Sequence, residues 1–463
     1  VIKTIIKSIA LVLLVGTVAS CSSDFLDDPK PKDSISPEIV FGSKEGANSF
    51  LSGILRLQRM SLINDEASGL HSILFARSVK GADLIQKQIW FGADYDYLVY
   101  LSTGTRSKFS WRLPYKIIDQ VNNFIVGVEE STKIEKADKE ELLGQALALR
   151  GYYYFQLAIE FGDAYASNQN IPFPPIYTKP TSTPNKFSTK EEFFNRIVTD
   201  LEEASSLLGD KRANKSYINK SVAQAFLAQV YQYMGKWDLA RKNANEAYGG
   251  NILKVLNAED YTKGFDSMGA TEWLWALPQS ADQTVYYRSH PHAMMDHVAV
   301  AYHGTFINDD FVKHFSKTDV RNLFSNFYEK PNGDWQQYVT SKFKFTFEAD
   351  LPVIRYPELV LIEAESAYHL GNEAKAKELV DAIRLNRDSQ AKVTVVGGSA
   401  LLETILLERR KELYGECGVE WFDAKRLLRG ITRTGNHRTL ISLPAQDKRF
   451  QLVLPQEELD ARK

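Results

Sequence analysis

Trp90, Tyr95, Tyr97 and Tyr100 stand close together among Gly81, Gly92 and Gly104, with Arg77 and Asp83 just before them. A second group, Tyr286, Tyr287, Arg288, Tyr302 and Trp335, lies in a stretch dense in aromatic, histidine and glycine residues. Aromatic faces cover C–H surface while guanidinium and carboxylate groups fix hydroxyls, so both groups suit non-covalent capture of a ligand that alternates the two. Loop aromatics at irregular spacing have no helix-packing duty to explain them. Tyr152, Tyr153, Tyr154, Tyr231, Tyr233 and Trp237, by contrast, recur at helical spacing and read as core, as do Trp421 and Phe422.

Other chemistries find less support. His290, His292, His297 and His303 gather near Asp296, but Pro291 interrupts the first pair and no helical i, i+4 pattern is present, so no metal site is expected. Glu202 with Glu203 and Asp309 with Asp310 are adjacent, and neighbours on a helix point apart, which does not suit paired acid–base work. No Gly-x-Ser-x-Gly, His-Glu-x-x-His or phosphate-loop motif occurs, so neither a catalytic centre nor a cofactor is expected. Glu408, Arg409, Arg410 and Glu412 read as structural ion pairs on one helix.

The first residues set the location. Lys3 and Lys7 precede an uncharged run over 8–20, shorter than the roughly 20 apolar residues of a spanning helix. Val18-Ala19-Ser20-Cys21 then matches a bacterial lipoprotein signal, with 1–20 removed and Cys21 lipidated. Two or more acyl chains give stable anchoring where one is marginal. Residues 21–37 are polar and proline-punctuated and form a tether, and Asp24, Asp27 and Asp28 resemble a signal for export to the outer face of the outer membrane. Loss of Lys3 and Lys7 moves the formal net charge from -2 to -4, which argues against nucleic acid as a partner. Cys417 is left without a disulfide partner, so the fold must be held by its core.

Residues 38–463 read as one mostly α domain. Two helix-turn-helix units, at 221–248 and 357–386, align so that Gly235 falls on Gly371, Ala228 on Ala364 and Ala240 on Ala376. Small residues let antiparallel helices approach, and glycine allows the turn. This is the logic of a tetratricopeptide-like repeat, whose pairs need stacked neighbours, and about four helix pairs are expected. Further helices are predicted over 38–59, 111–129, 139–161, 190–208, 401–413 and 419–428, that at 190 capped by Ser188 or Thr189. Residues 61–112 and 249–350 read as irregular ligand-binding segments, with a short strand near 338–347, and the proline-rich 162–188 as loop.

Several stretches together resemble the SusD/RagB family of outer-membrane nutrient-binding lipoproteins. They are Cys21-Ser22-Ser23-Asp24-Phe25-Leu26-Asp27; Ala148-Leu149-Arg150-Gly151-Tyr152-Tyr153-Tyr154-Phe155 with Phe161-Gly162-Asp163; Thr318-Asp319-Val320-Arg321; Arg355 through Glu365; Glu408 through Leu413; and Trp421-Phe422-Asp423-Ala424-Lys425-Arg426. Glu420, Cys417 and the residues after Leu459 depart from the family pattern, in scaffold motifs. The resemblance implies a helical-repeat scaffold with an irregular binding face and no catalytic centre. It also implies a partner, a SusC-like TonB-dependent transporter, and an oligosaccharide or polysaccharide ligand. A peptide cargo, with Arg77 and Arg288 holding a carboxylate, and a secreted glycoside hydrolase are the alternatives.

Overall fold

Gly235 and Gly371 adopt left-handed backbone, at φ +70° and +79°, and each closes a turn between two helices. At both turns the amide just after the glycine reaches back five residues: Lys236 N to Tyr231 O at 2.9 Å and Asn372 N to Ala367 O at 2.8 Å. The same capping geometry therefore ends both helices, as the aligned glycines require. Ala228, Ala240, Ala364 and Ala376 are all fully buried where the paired helices approach.

The computed structural model describes residues 36–99, 101–280 and 289–462. Cys21, the tether up to residue 35, Tyr100, Tyr286, Tyr287 and Arg288 lie outside these described residues. Numbering the helices of eight residues or more gives α1 (Lys44–Met60), α2 (Gly69–Lys80), α3 (Thr105–Glu130), α4 (Lys136–Phe161), α5 (Lys190–Leu207), α6 (Lys220–Met234), α7 (Trp237–Ala247), α8 (Tyr356–His369), α9 (Glu373–Arg387), α10 (Ser399–Leu413) and α11 (Val419–Arg426). From α3 to α9 each helix packs on the next, α1 lies against α3, and α10 packs on α8 and α9. The result is the expected mostly α scaffold of stacked helices.

Local signals explain these elements. On α4 the periodic Leu142, Ala146, Leu149, Tyr153 and Leu157 are all fully buried. α5 opens with a capping box in which Thr189 Oγ1 accepts from Glu192 N while the Glu192 carboxylate accepts from Thr189 N. The single helix expected over 38–59 is broken, with one turn at Pro37–Val40 and a restart at Ser43, whose hydroxyl accepts from Gly46 N at 3.1 Å.

Within 61–112 the reading needs correction, because α2 is a helix with every residue buried. Covered on all sides, it has no polar face and hence no amphipathic period to read. The strand expected at 338–347 is reduced to Val339–Thr340. The longer ladder instead joins β2 (Trp273–Leu277) to β4 (Leu351–Arg355), antiparallel and wholly buried. Continuous apolar strands of this kind look no different from helix by period alone.

The two irregular segments meet. β1 (Leu84–Gln86) pairs antiparallel with β3 (Thr305–Ile307), placing Leu84 opposite Ile307, Ile85 opposite Phe306 and Gln86 opposite Thr305. Around this pair a second core, distinct from that of the stacked helices, gathers Phe75, Phe91 and Tyr95 with Trp273, Phe306 and Phe311.

A buried ion network fastens this aromatic subdomain to the helices. Arg355, at the end of β4, donates to Glu412 on α10 at 2.9 Å and to Glu416 at 2.8 Å. Arg321 donates to Asp319, Glu408 and Glu412, and Lys342 to Glu416. Burial alone would push the Glu412 carboxyl up, but the guanidinium groups of Arg387, Arg355 and Arg321 hold it well below the usual carboxylate range. The remaining acid–arginine pairs of the sequence motifs are structural as well. Arg409 pairs with Asp423, and Arg426 with Asp423 and Glu365.

Candidate functional site

β1 and β3 position an aromatic patch. Four residues past β1, Trp90 has left-handed backbone at φ 41°, which turns its indole onto Tyr302, three residues ahead of β3. The two rings meet edge to face with centroids 4.3 Å apart, and both are half-buried. The approach is held by backbone bonds: Lys87 N donates to Gly304 O at 2.8 Å, and Tyr302 N to Ala293 O at 2.9 Å. Trp335, also half-buried, packs edge-on against Phe306 of β3 at 5.3 Å. Tyr328 lies 6.0 Å from the same Phe306 ring. The strand pair thus carries two aromatic contacts, Trp90 from the first irregular segment against Tyr302 from the second, and Trp335 against Phe306.

Histidines support this patch from behind. His297 is engaged at both nitrogens, with Tyr328 Oη at 3.0 Å and Thr305 O at 2.8 Å, and burial lowers its pKa to about 4. His303 stacks on it and bonds Ala299 O at 2.7 Å. His290 and His292 are fully buried. Among the described residues no three histidine, cysteine or acidic side chains are grouped as a metal site would need.

Four predicted site residues have other duties. Tyr95 is fully buried, its hydroxyl bonded to His437 at 2.8 Å and its ring covered by the Arg433 guanidinium at 3.8 Å. Tyr97 is buried and donates to Lys80 O at 2.6 Å. Arg77 lies on α2, where its Nε donates to Glu160 at 2.5 Å with both side chains buried. Asp83 is buried and paired with Arg410. The glycine-rich context made Tyr95 and Tyr97 read as exposed loop aromatics, whereas the chain there wraps inward over the second core. Sequence reasoning did not single out Lys87 or Tyr328, since a lone lysine between two glutamines carries no signal of what it will face. Asp309 and Asp310 hold the 434–436 loop and Lys313, so this carboxylate pair is structural.

Elsewhere, a concavity of about 240 Å³ lies between α3, the 175–181 segment and the C-terminal turn, with Trp111, Tyr115 and Tyr177 in its wall. The Tyr115 hydroxyl is already committed to Pro175 O at 2.7 Å.

Comparison with known proteins settles the relationship. Residues 24–232 match a family described as starch-binding and associating with the outer membrane, of the SusD-like class, and residues 301–450 match the SusD family. The chain belongs to the SusD family. A SusD-like protein of Formosa agariphila is 22% identical over 387 residues, spanning 70% of this chain and 73% of that one. Among solved structures, a SusD-like carbohydrate-binding protein from Bacteroides vulgatus superimposes with a TM-score of 0.83 at 23% identity, covering 91% of this chain and 96% of the other. A surface glycan-binding protein from Bacteroides thetaiotaomicron, solved with laminarihexaose, gives 0.71 at 16% identity, covering 91% and 98%. These likenesses fix the SusD fold, and within it Arg321, Arg355, Glu408, Glu412, Asp423 and Arg426 are scaffold residues.

Proposed function

We propose that this SusD-family protein captures oligosaccharide or polysaccharide at the cell surface and delivers it, without catalysis, to a SusC-like TonB-dependent transporter. The observation that carries the reading is the patch of Trp90, Tyr302 and Trp335, three half-buried rings on one strand pair. Large aromatic faces left partly open to solvent suit the C–H faces of sugar rings. The naming of the starch-binding family, and the laminarihexaose held by one structural relative, support the same ligand class.

The lipid anchor is proposed on the sequence, with Cys21 as its site and 21–37 as tether to a single SusD-like domain over 38–463. No helix of the described residues is long and apolar enough to cross a membrane. A peptide cargo is less well served, because Arg77 is spent on Glu160.

Affinity electrophoresis through gels carrying different polysaccharides tests the proposal. Retardation of the wild type by at least one glycan, reduced in Trp90→Ala and Trp335→Ala, is the expected result. Free mobility in every gel overturns it, and new reducing ends released from an oligosaccharide by pure protein would overturn the non-catalytic part.

A further inference from the structure

Lys87 stands immediately after β1, and its Nζ lies 5.6 Å from the centre of the Phe306 ring. Phe306 is the central residue of β3 and carries Trp335 on its edge, while Trp90 and Tyr302 flank the same strand pair. The ammonium therefore belongs to the aromatic patch. It is half-buried there, and burial lowers its pKa.

Buried or half-buried lysines of this protein find acceptors: Lys215 donates to Ala270 O, and Lys425 to the carbonyls of Ile159, Gly162 and Phe450. Lys44, Lys190, Lys342 and Lys411, all at least partly buried, each meet a carboxylate within 3.0 Å. Lys87 has no such partner among the described residues. Burial acts on it with no charged neighbour beside it, and the nearby His297 and His303 are spent on Tyr328 Oη, Thr305 O and Ala299 O. A partly desolvated ammonium without a counter-charge carries a cost that an incoming anion would relieve. The protein as a whole is acidic, with a formal charge of -2, so its long-range field does not attract polyanions. Recognition of an acidic ligand would then depend on a local cation at the site.

We propose that Lys87 is an anion-recognition group of the aromatic patch, and that the captured glycan carries carboxylate or sulfate substituents. The sugar ring stacks on the exposed aromatic faces while its acidic substituent meets the Lys87 ammonium. This inference rests on the glycan-capture reading above and names the substrate class within it.

The test is affinity electrophoresis of the full-length protein against polygalacturonate, which carries carboxylates, κ-carrageenan, which carries sulfates, and neutral laminarin and galactomannan. Retardation by one acidic polymer, weakened by added salt, is expected, and the polymer that retards identifies which anion is read. Lys87→Gln should bind that polymer roughly tenfold more weakly or worse, as loss of a charge-assisted hydrogen bond implies. Lys87→Arg should restore most of the affinity, and thermal melting of both variants should match the wild type. Retardation by neutral polymers alone, or a Lys87→Gln variant that binds the acidic polymer as tightly as wild type, overturns the inference and leaves glycan capture standing. Retardation by none of the four overturns both.

Discussion

Arg387, at the end of α9, donates to Glu272, just ahead of β2, across 2.7 Å with both side chains buried. The same guanidinium reaches Glu412 on α10 at 3.0 Å, so one side chain ties the aromatic subdomain to two helices of the scaffold. Removing one member of such a network leaves uncompensated charge in a dry interior, which costs more than the pair itself contributes. Arg387→Met is expected to destabilise the protein by about 3–5 kcal/mol. Urea denaturation checks this, and a loss under about 1 kcal/mol would contradict the assignment.

Acid should weaken the fold through its buried histidines. His71 and His290 meet edge to face at 4.5 Å, and none of their four ring nitrogens has a partner among the described residues. Burial lowers the pKa of His71 to about 3, and those of His292 and His437 to about 4. In the unfolded chain these groups take up protons near 6.5, whereas the folded chain refuses them. Their contribution is thus fully present above pH 6.5 and lost as the pH falls toward 4. The urea midpoint should drop between pH 7 and pH 4.5, and His71→Phe, which removes a titrating group without removing a hydrogen bond, should flatten that slope. An unchanged slope would show that His71 takes no part in the loss.

Much of the scaffold was legible in the sequence because its helices have one buried and one wet side. Ala228, Gly235 and Ala240 could be laid on Ala364, Gly371 and Ala376 since each pair of helices obeys the same contact geometry. α2 escaped notice for the opposite reason, being buried all round from Gly69 to Lys80. At the candidate site, the two segments singled out in the sequence do meet, because β1 and β3 bring Trp90 and Tyr302 together. Which aromatics stay open could not be read locally. Tyr95 is turned inward by Arg433 and His437, residues more than three hundred positions away.

That distinction predicts opposite behaviour for two nearby aromatics. Trp90→Ala should abolish most glycan retention and shift the melting temperature little, since its ring is half-open. Tyr95→Ala empties a fully buried site and should cost about 3–5 kcal/mol, with binding retained by whatever protein remains folded. Calorimetric melting alongside affinity electrophoresis separates the two, and a Trp90→Ala variant as unstable as Tyr95→Ala would assign the indole to packing.

The anchoring proposal can be tested without any ligand. Cys21→Ser removes the thiol that would carry the lipid, so the variant should appear in the soluble fraction of cells whose wild-type protein sediments with outer membrane. Dual acylation holds far more firmly than a single chain, and intermediate partitioning would point to one chain rather than two. Equal sedimentation of both proteins would contradict a thiol-linked anchor.

The matched helix turns allow a backbone cost to be isolated. Gly371 sits at φ +79°, and a Cβ added there would meet nothing within 4 Å. Gly371→Ala therefore adds no clash, and its penalty is that of a left-handed L-residue, about 1–2 kcal/mol. Gly151, on α4, poses the reverse case, with right-handed backbone and a Cβ that would come 2.7 Å from Leu201 Cγ on α5. Gly151→Ala pits better helix propensity, worth about 1 kcal/mol, against overpacking of about 1–3 kcal/mol. The net loss expected for Gly151→Ala should be rescued by Leu201→Ala in the same chain, while that for Gly371→Ala should not. Denaturation of the three single and two double variants measures this coupling, and equal rescue of both would show that the turn at 371, like the contact at 151, is limited by space.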